Sequence, residues 1–74
     1  MNLEEIMNFL YDHEINFLLS SFWDGGYTAK LGDEMNGFTA QSFGHDTPLK
    51  AMKWLLDCAY RRYPSLEMKD TTDV

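Results

Sequence analysis

Cysteine is nearly absent from this chain. Cys58 stands alone among 74 residues, so no internal disulfide forms, and a reducing compartment suits the composition. Proline occurs twice, at Pro48 and Pro64, which leaves most of the chain free to form helix or strand. Basic residues are also scarce. Six Lys and Arg stand against twelve Asp and Glu, for a net charge of −6. No apolar run approaches the ~20 residues that cross a bilayer. The opening residues Asn2, Glu4 and Glu5 lack the basic-then-apolar order of a secretory signal, so the expected location is cytoplasmic.

The charge is unevenly spread. All four cations of residues 47–63 (Lys50, Lys53, Arg61 and Arg62) lie in one stretch, whereas Lys30 is the only cation before it. An acidic body repels phosphate backbones and attracts basic proteins, which makes nucleic acid an unfavourable partner and a basic protein a favourable one. A chain this short buries only about 60% of its unfolded surface, so its core must be efficient. Five Phe, four Tyr and two Trp supply large apolar areas for that purpose.

Periodicity divides the chain into five elements. Leu3, Ile6, Met7 and Leu10 recur with helical spacing over residues 2–13, and Asn2 with Glu5 has the spacing of a capping box. Over 15–23 the period falls to two, with Ile15, Phe17, Leu19, Ser21 and Trp23 on one face and Asn16, Leu18, Ser20 and Phe22 on the other. Asp24-Gly25-Gly26 signals a hairpin, Tyr27 to Leu31 returns, and Gly32 to Gly37 connects to a third strand over Phe38 to Phe43. Thr47 and Pro48 start a second helix over 48–63, with Leu49, Met52, Leu56, Ala59, Tyr60 and Tyr63 on its apolar face and Leu55 widening it. Pro64 ends it, and 65–74 read as a disordered polar tail. The expected fold class is therefore α+β. It is a single domain over 1–64, a two-layer α-β-β-β-α sandwich in which a three-stranded antiparallel meander carries both helices on one face.

The stretch from Phe17 to Ala59 resembles the N-terminal domain of HicB-type antitoxins. The matching residues are Asp24-Gly25-Gly26-Tyr27-Thr28-Ala29, Asn36-Gly37-Phe38 and Gly44-His45-Asp46-Thr47-Pro48, with Ala51 in the helix that follows. The resemblance implies a core of the truncated ribonuclease H type, close in shape to a double-stranded-RNA-binding domain. In that family the core blocks a small basic ribonuclease toxin and often dimerises. Asn36-Gly37-Phe38 replaces the family's Pro-Gly-Cys, and the leading helix is not typical of it. The family's C-terminal DNA-binding domain has no counterpart among these residues, so operator binding is not carried over.

No residue pattern points to catalysis. Asp24, Asp33 and Glu34 read as turn residues, and Glu4, Glu5, Asp12 and Glu14 as solvated helix positions. His13, His45 and Cys58 lack metal-ligand spacing, and Cys58 sits mid-helix rather than at an activating helix start. The glycine turns lack the spacing and the lysine of a phosphate-binding loop. The expectation is a non-enzyme with neither cofactor nor metal.

Two surfaces stand out instead. Trp54 projects with Lys50 and Arg61 away from the apolar helix face, as an interface anchor does. Leu18, Phe22 and Phe43 fall on the sheet face that the helices leave open. These six are the expected partner-binding residues. The expected function is a small protein-binding module, homodimeric, of the antitoxin or phage-inhibitor kind. The alternative is a nucleic-acid-binding module shaped like a double-stranded-RNA-binding domain, with Lys50 and Lys53 at its helix start.

Overall fold

The computed structural model describes residues 1–66. Its elements follow the order α1 (Leu3–Asp12), β1 (Phe17–Phe22), β2 (Gly26–Asp33), β3 (Gly37–Gln41) and α2 (Pro48–Arg62). The strands form an antiparallel meander in the order β1-β2-β3, and both helices lie on one face. The protein is thus the expected two-layer α+β sandwich.

Both helix starts are built by their caps. The Asn2 side chain accepts the Glu5 N–H at 2.8 Å, and the Glu5 carboxylate accepts the Asn2 N–H at 2.8 Å, a complete capping box. Thr47 Oγ1 accepts the Lys50 N–H at 3.1 Å, with Pro48 in the first turn. At the end of α1 the Ile15 N–H donates to the Leu10 carbonyl (2.9 Å) and the Glu14 N–H to that of Tyr11 (3.0 Å). This is a Schellman closure, which requires a left-handed residue, and Glu14 takes that role at φ 58°.

β1 pairs with β2 in unbroken register from Phe17↔Leu31 to Phe22↔Gly26. β2 pairs with β3 through Leu31↔Ala40, and the register then shifts to Gly32↔Phe38. Gly32 holds φ 119° at this bulge, and a β-carbon there would overlap the Gly37 carbonyl oxygen. Past Gln41 the chain keeps company with β2. The Ser42 N–H donates to the Ala29 carbonyl (2.9 Å), and Tyr27 and His45 exchange both backbone bonds at 2.9 and 3.1 Å. Gly26 faces that bridge at φ 84°, and an added β-carbon would lie 2.7 Å from the His45 carbonyl oxygen.

The core joins Ile6 and Leu10 of α1, Ala29 and Leu31 of β2, and Ala51, Met52, Leu55 and Ala59 of α2, all essentially sealed from solvent. Three readings from sequence need correction. The buried centre of α2 comprises the expected Met52 and Ala59 together with Ala51 and Leu55, while Leu49, Leu56 and Tyr60 flank it and Tyr63 is exposed. The helix is shared between two neighbours, so Tyr60 meets Phe9 of α1 edge-on at 6.0 Å instead of pointing at the sheet. Trp23 leaves the strand pattern and stands 98% exposed in the hairpin turn. The domain also runs past residue 64. Pro64–66 is helical, and Leu66 is buried in the core. The rest of the expected polar tail, 67–74, lies outside the described residues.

Two substitutions test these local accounts. Gly32→Ala should cost about 3 kcal/mol, the left-handed strain plus a clash that only backbone movement relieves. Glu14→Gly should stabilise by about 1 kcal/mol, because it removes the left-handed penalty at an exposed site. Urea melts of the two variants measure both, and the expected shifts are opposite in sign.

Candidate functional site: the open sheet face

Alternation along the strands decides what the helices leave uncovered. Phe17, Leu19, Tyr27, Ala29, Leu31 and Ala40 turn toward the helices and pack on or within the core. Their neighbours point the other way. Leu18, Ser20 and Phe22 of β1 lie beside Lys30, Thr28 and Gly26 of β2, and Gln41 lies beside Lys30 from β3. Ser20, Phe22, Thr28, Lys30 and Gln41, with Phe43 and Gly44, line a groove of about 430 Å³ that reaches Asp24 in the hairpin turn, and Leu18 lies on the same face beyond it.

The groove has apolar walls and a polar floor. Leu18 is 47% exposed, Phe22 58% and Phe43 74%. Thr28 is buried at the floor, although no helix covers it. Phe38 also belongs to this face, since the bulge sets it opposite Gly32, and the Lys30 ammonium lies 5.2 Å from its ring centre. That cation–π contact leaves Lys30 without a carboxylate partner among the described residues. Sequence reasoning found Leu18, Phe22 and Phe43 but missed Phe38 and Lys30. Phe38 was legible only with the bulge in hand, because an unbroken ladder fixes a different partner for it.

Carboxylates stand at both ends of the face. Asp24 lines the groove at one end, and Asp33 and Glu34 flank Leu18 in a smaller hollow of about 230 Å³ at the other. Asp33 is a structural acid. It accepts the Asn36 backbone N–H and the Asn16 amide at 2.7 Å each, and the Asn36 amide at 3.2 Å. These donors, the Asn36 backbone first, hold its carboxyl below the usual carboxylate range.

The helix-side group is less open than its spacing implied. Trp54 is half-buried and packs against the core, with its ring 6.3 Å from that of His45. The β3 extension that returns His45 to Tyr27 also brings the imidazole against Trp54, so the outward reading of this residue is corrected. Lys50 and Arg61 are exposed and pair along their own helix face, with Asp46 at 3.5 Å and Asp57 at 3.9 Å. Exposed pairs of this kind contribute roughly 0.3–0.5 kcal/mol, too little to withhold either cation from a partner. The open sheet face and this flank lie on opposite sides of the sheet and form no single site.

The groups with catalytic potential are dispersed. His13 donates from Nδ1 to the Phe9 carbonyl at 2.8 Å and lies against the Phe9 ring, while Cys58 is half-buried beside Arg61. Among the described residues no three His, Cys, Asp or Glu side chains gather into a metal-sized cluster. No helix among them is long and apolar enough to cross a membrane.

The Asp33 carboxylate yields a prediction with a defined sign. A carboxyl whose folded pKa is depressed stabilises the fold above its unfolded value, about 4, and loses that contribution as pH falls through the folded value. Asp33→Asn should therefore lower the melting temperature at pH 7 and shrink the further drop seen below about pH 4. Thermal melts across that range measure both effects, and a variant with an unchanged acid limb would contradict the account.

No family model matches the chain, and neither does any curated protein or any solved structure.

Proposed function

We propose that this domain is a non-catalytic protein-binding module that works through its open sheet face. The partner is a basic protein, and the active form is a homodimer. One observation carries the proposal: Phe22 and Phe43 remain exposed around a groove that no element among the described residues covers, with Leu18 exposed beside it on the same face. Apolar side chains grouped at this density on one face mark an interaction surface. The charges favour a basic partner, since Asp24 and the Asp33–Glu34 pair bracket the face and the chain carries −6 overall. An inhibitor of the HicB antitoxin or phage kind has this character, and Asp24, Gly25, Thr28 and Gly44, among the residues that resemble that family, line the groove. A cytoplasmic setting accords with the lone thiol.

The nucleic-acid reading draws on one feature, Lys30 among the aromatic rings of the face. A single cation supports a salt dependence of only about 0.7 per decade on a single strand. Against a net charge of −6 that is a poor basis for affinity, so this reading ranks second.

A photo-crosslinking residue at position 43, with one at Asp12 as the remote control, tests the proposal in cells. Crosslinks to basic proteins are expected from position 43 only. Phe22→Ser should weaken the captured complex about tenfold, the ~1.4 kcal/mol expected from part of one aromatic contact. Added salt should weaken it further. Equal crosslinking from both positions, or retention of single-stranded RNA at low salt without protein capture, would overturn it.

A further inference from the structure

The ladder of the sheet fixes which backbone groups remain without partners. The Gly32 N–H donates to the Asn16 carbonyl at 2.8 Å, and the Ser42 N–H to that of Ala29 at 2.9 Å. Even-numbered residues of β2 therefore bond toward β1 and odd-numbered residues toward β3. In the register Leu18↔Lys30 and Ser20↔Thr28, the even residues of β1 spend their backbone groups on β2. Phe17, Leu19 and Ser21 aim theirs away from the sheet. Among the described residues these six groups find no backbone partner.

The two sheet edges are unlike. β3 is five residues long, shifts register between Leu31 and Gly32, and bends again at Gly44 (φ 70°) before the His45 bridge. Such irregularity guards an edge. β1 reads Phe-Leu-Leu-Ser-Ser-Phe, with no charge, proline or glycine, and it pairs regularly along its whole length. Every usual protection of an edge strand is missing from it.

We infer that β1 is the dimerisation edge, and that two copies of this chain join there, antiparallel, into one six-stranded sheet. The inference deepens the homodimer proposed above by naming its interface. The three outward residues form a self-complementary set. With a two-fold axis at Leu19, Leu19 faces the partner's Leu19 and Phe17 faces the partner's Ser21, so all three donors and all three acceptors of each copy are used. The side chains agree with this register. Ser21 is exposed on the helix face because the helices stop short of it, whereas Phe17 at the other end is half-buried. The axis sets the partner's Phe17 beside that bare position. On the open face, the same union merges two apolar patches into a single surface. A strand from an unrelated protein would share the backbone bonds but not this reciprocity.

Electrostatics separates the dimer from the complex with a basic protein. Two chains of −6 repel, and Glu14 approaches the partner's Asp24 in this register, so self-association tightens as salt rises. Sedimentation of the full chain should show a concentration-dependent shift from 8.6 kDa to twice that mass. Ser21→Pro deletes an outward N–H without touching the β1–β2 ladder, and it should leave a folded monomer. Ser21→Lys, which places a charge on the edge, should do the same where the proline variant does not fold. In a Cys58→Ser background, Leu19→Cys should form an interchain disulfide, since facing hydrogen-bonded residues lie about 5.5 Å apart at Cα. A chain monomeric at every concentration overturns the inference. So does a dimer that survives both Ser21 variants but is lost on Phe43→Ser. A permanent monomer leaves the crosslink expected at position 43 untouched, so the open-face reading stands or falls separately, whereas a dimer lost on Phe43→Ser would give that face to a second copy.

Discussion

Helix α2 rests on the middle strand, and the rest of the structure is arranged around that contact. Ala51 and Ala59 of the helix and Ala29 of β2 are fully buried, as are the larger Met52, Leu55 and Leu31 beside them. Small side chains on both partners let the two layers approach closely, and the larger ones fill the space between them. With α2 centred over β2, one of its flanks is left for α1. Phe9 meets Tyr60 there, and Ile6 and Leu10 complete the core. Both α1 and α2 are thus committed to one side of the sheet. Nothing among the described residues remains to form a third layer, and the bare face follows from the α2–β2 contact.

Much of this was legible because local signals agreed with one another. The period-two run, the double glycine and the two capped helix starts each point to the same element order, and the structure keeps all five elements within a few residues of their expected limits. The failures share a physical cause. Periodicity weighs large apolar side chains, so the expected face of α2 took in Leu49, Leu56 and Tyr60 beside Met52 and Ala59 but passed over Ala51, which is fully buried. Trp23 fits the strand alternation, yet the turn closes one residue earlier, with the Gly25 N–H donating to the Phe22 carbonyl at 3.0 Å. Leu66 follows a helix-ending proline, and no local pattern reveals that the chain turns back into the core there. In each case the deciding partner is remote in sequence.

The candidate site divides along the same line. Leu18, Phe22 and Phe43 follow from alternation alone once the helices are placed. Lys30 follows from alternation as well, but its ring partner Phe38 depends on the register shift at Gly32, a close approach of two backbones that only a glycine permits. Trp54 shows the opposite error. Its position on the helical wheel is outward, but a segment from beyond β3 folds over it. Single-element reasoning therefore serves strand faces better than helix flanks, because a sheet face has one neighbour layer and a helix flank can acquire any.

The bare face could have been uniformly polar. Ser20, Thr28 and Gln41 occupy it already, which demonstrates that the sheet folds with hydrophilic residues there. The core is complete without Phe22 and Phe43, since neither belongs to the buried cluster or to the side chains packed on it. Large exposed rings carry an aggregation hazard, more so beside an uncharged edge strand, and a thinly stabilised domain of this size has little margin for it. The carboxylates at both ends of the face and the overall charge of −6 restrain that hazard by repulsion between copies. Folding thus requires neither the rings nor the uncharged edge. The proposed contacts with other chains would account for both, the edge matching a second copy and the face a partner of opposite charge.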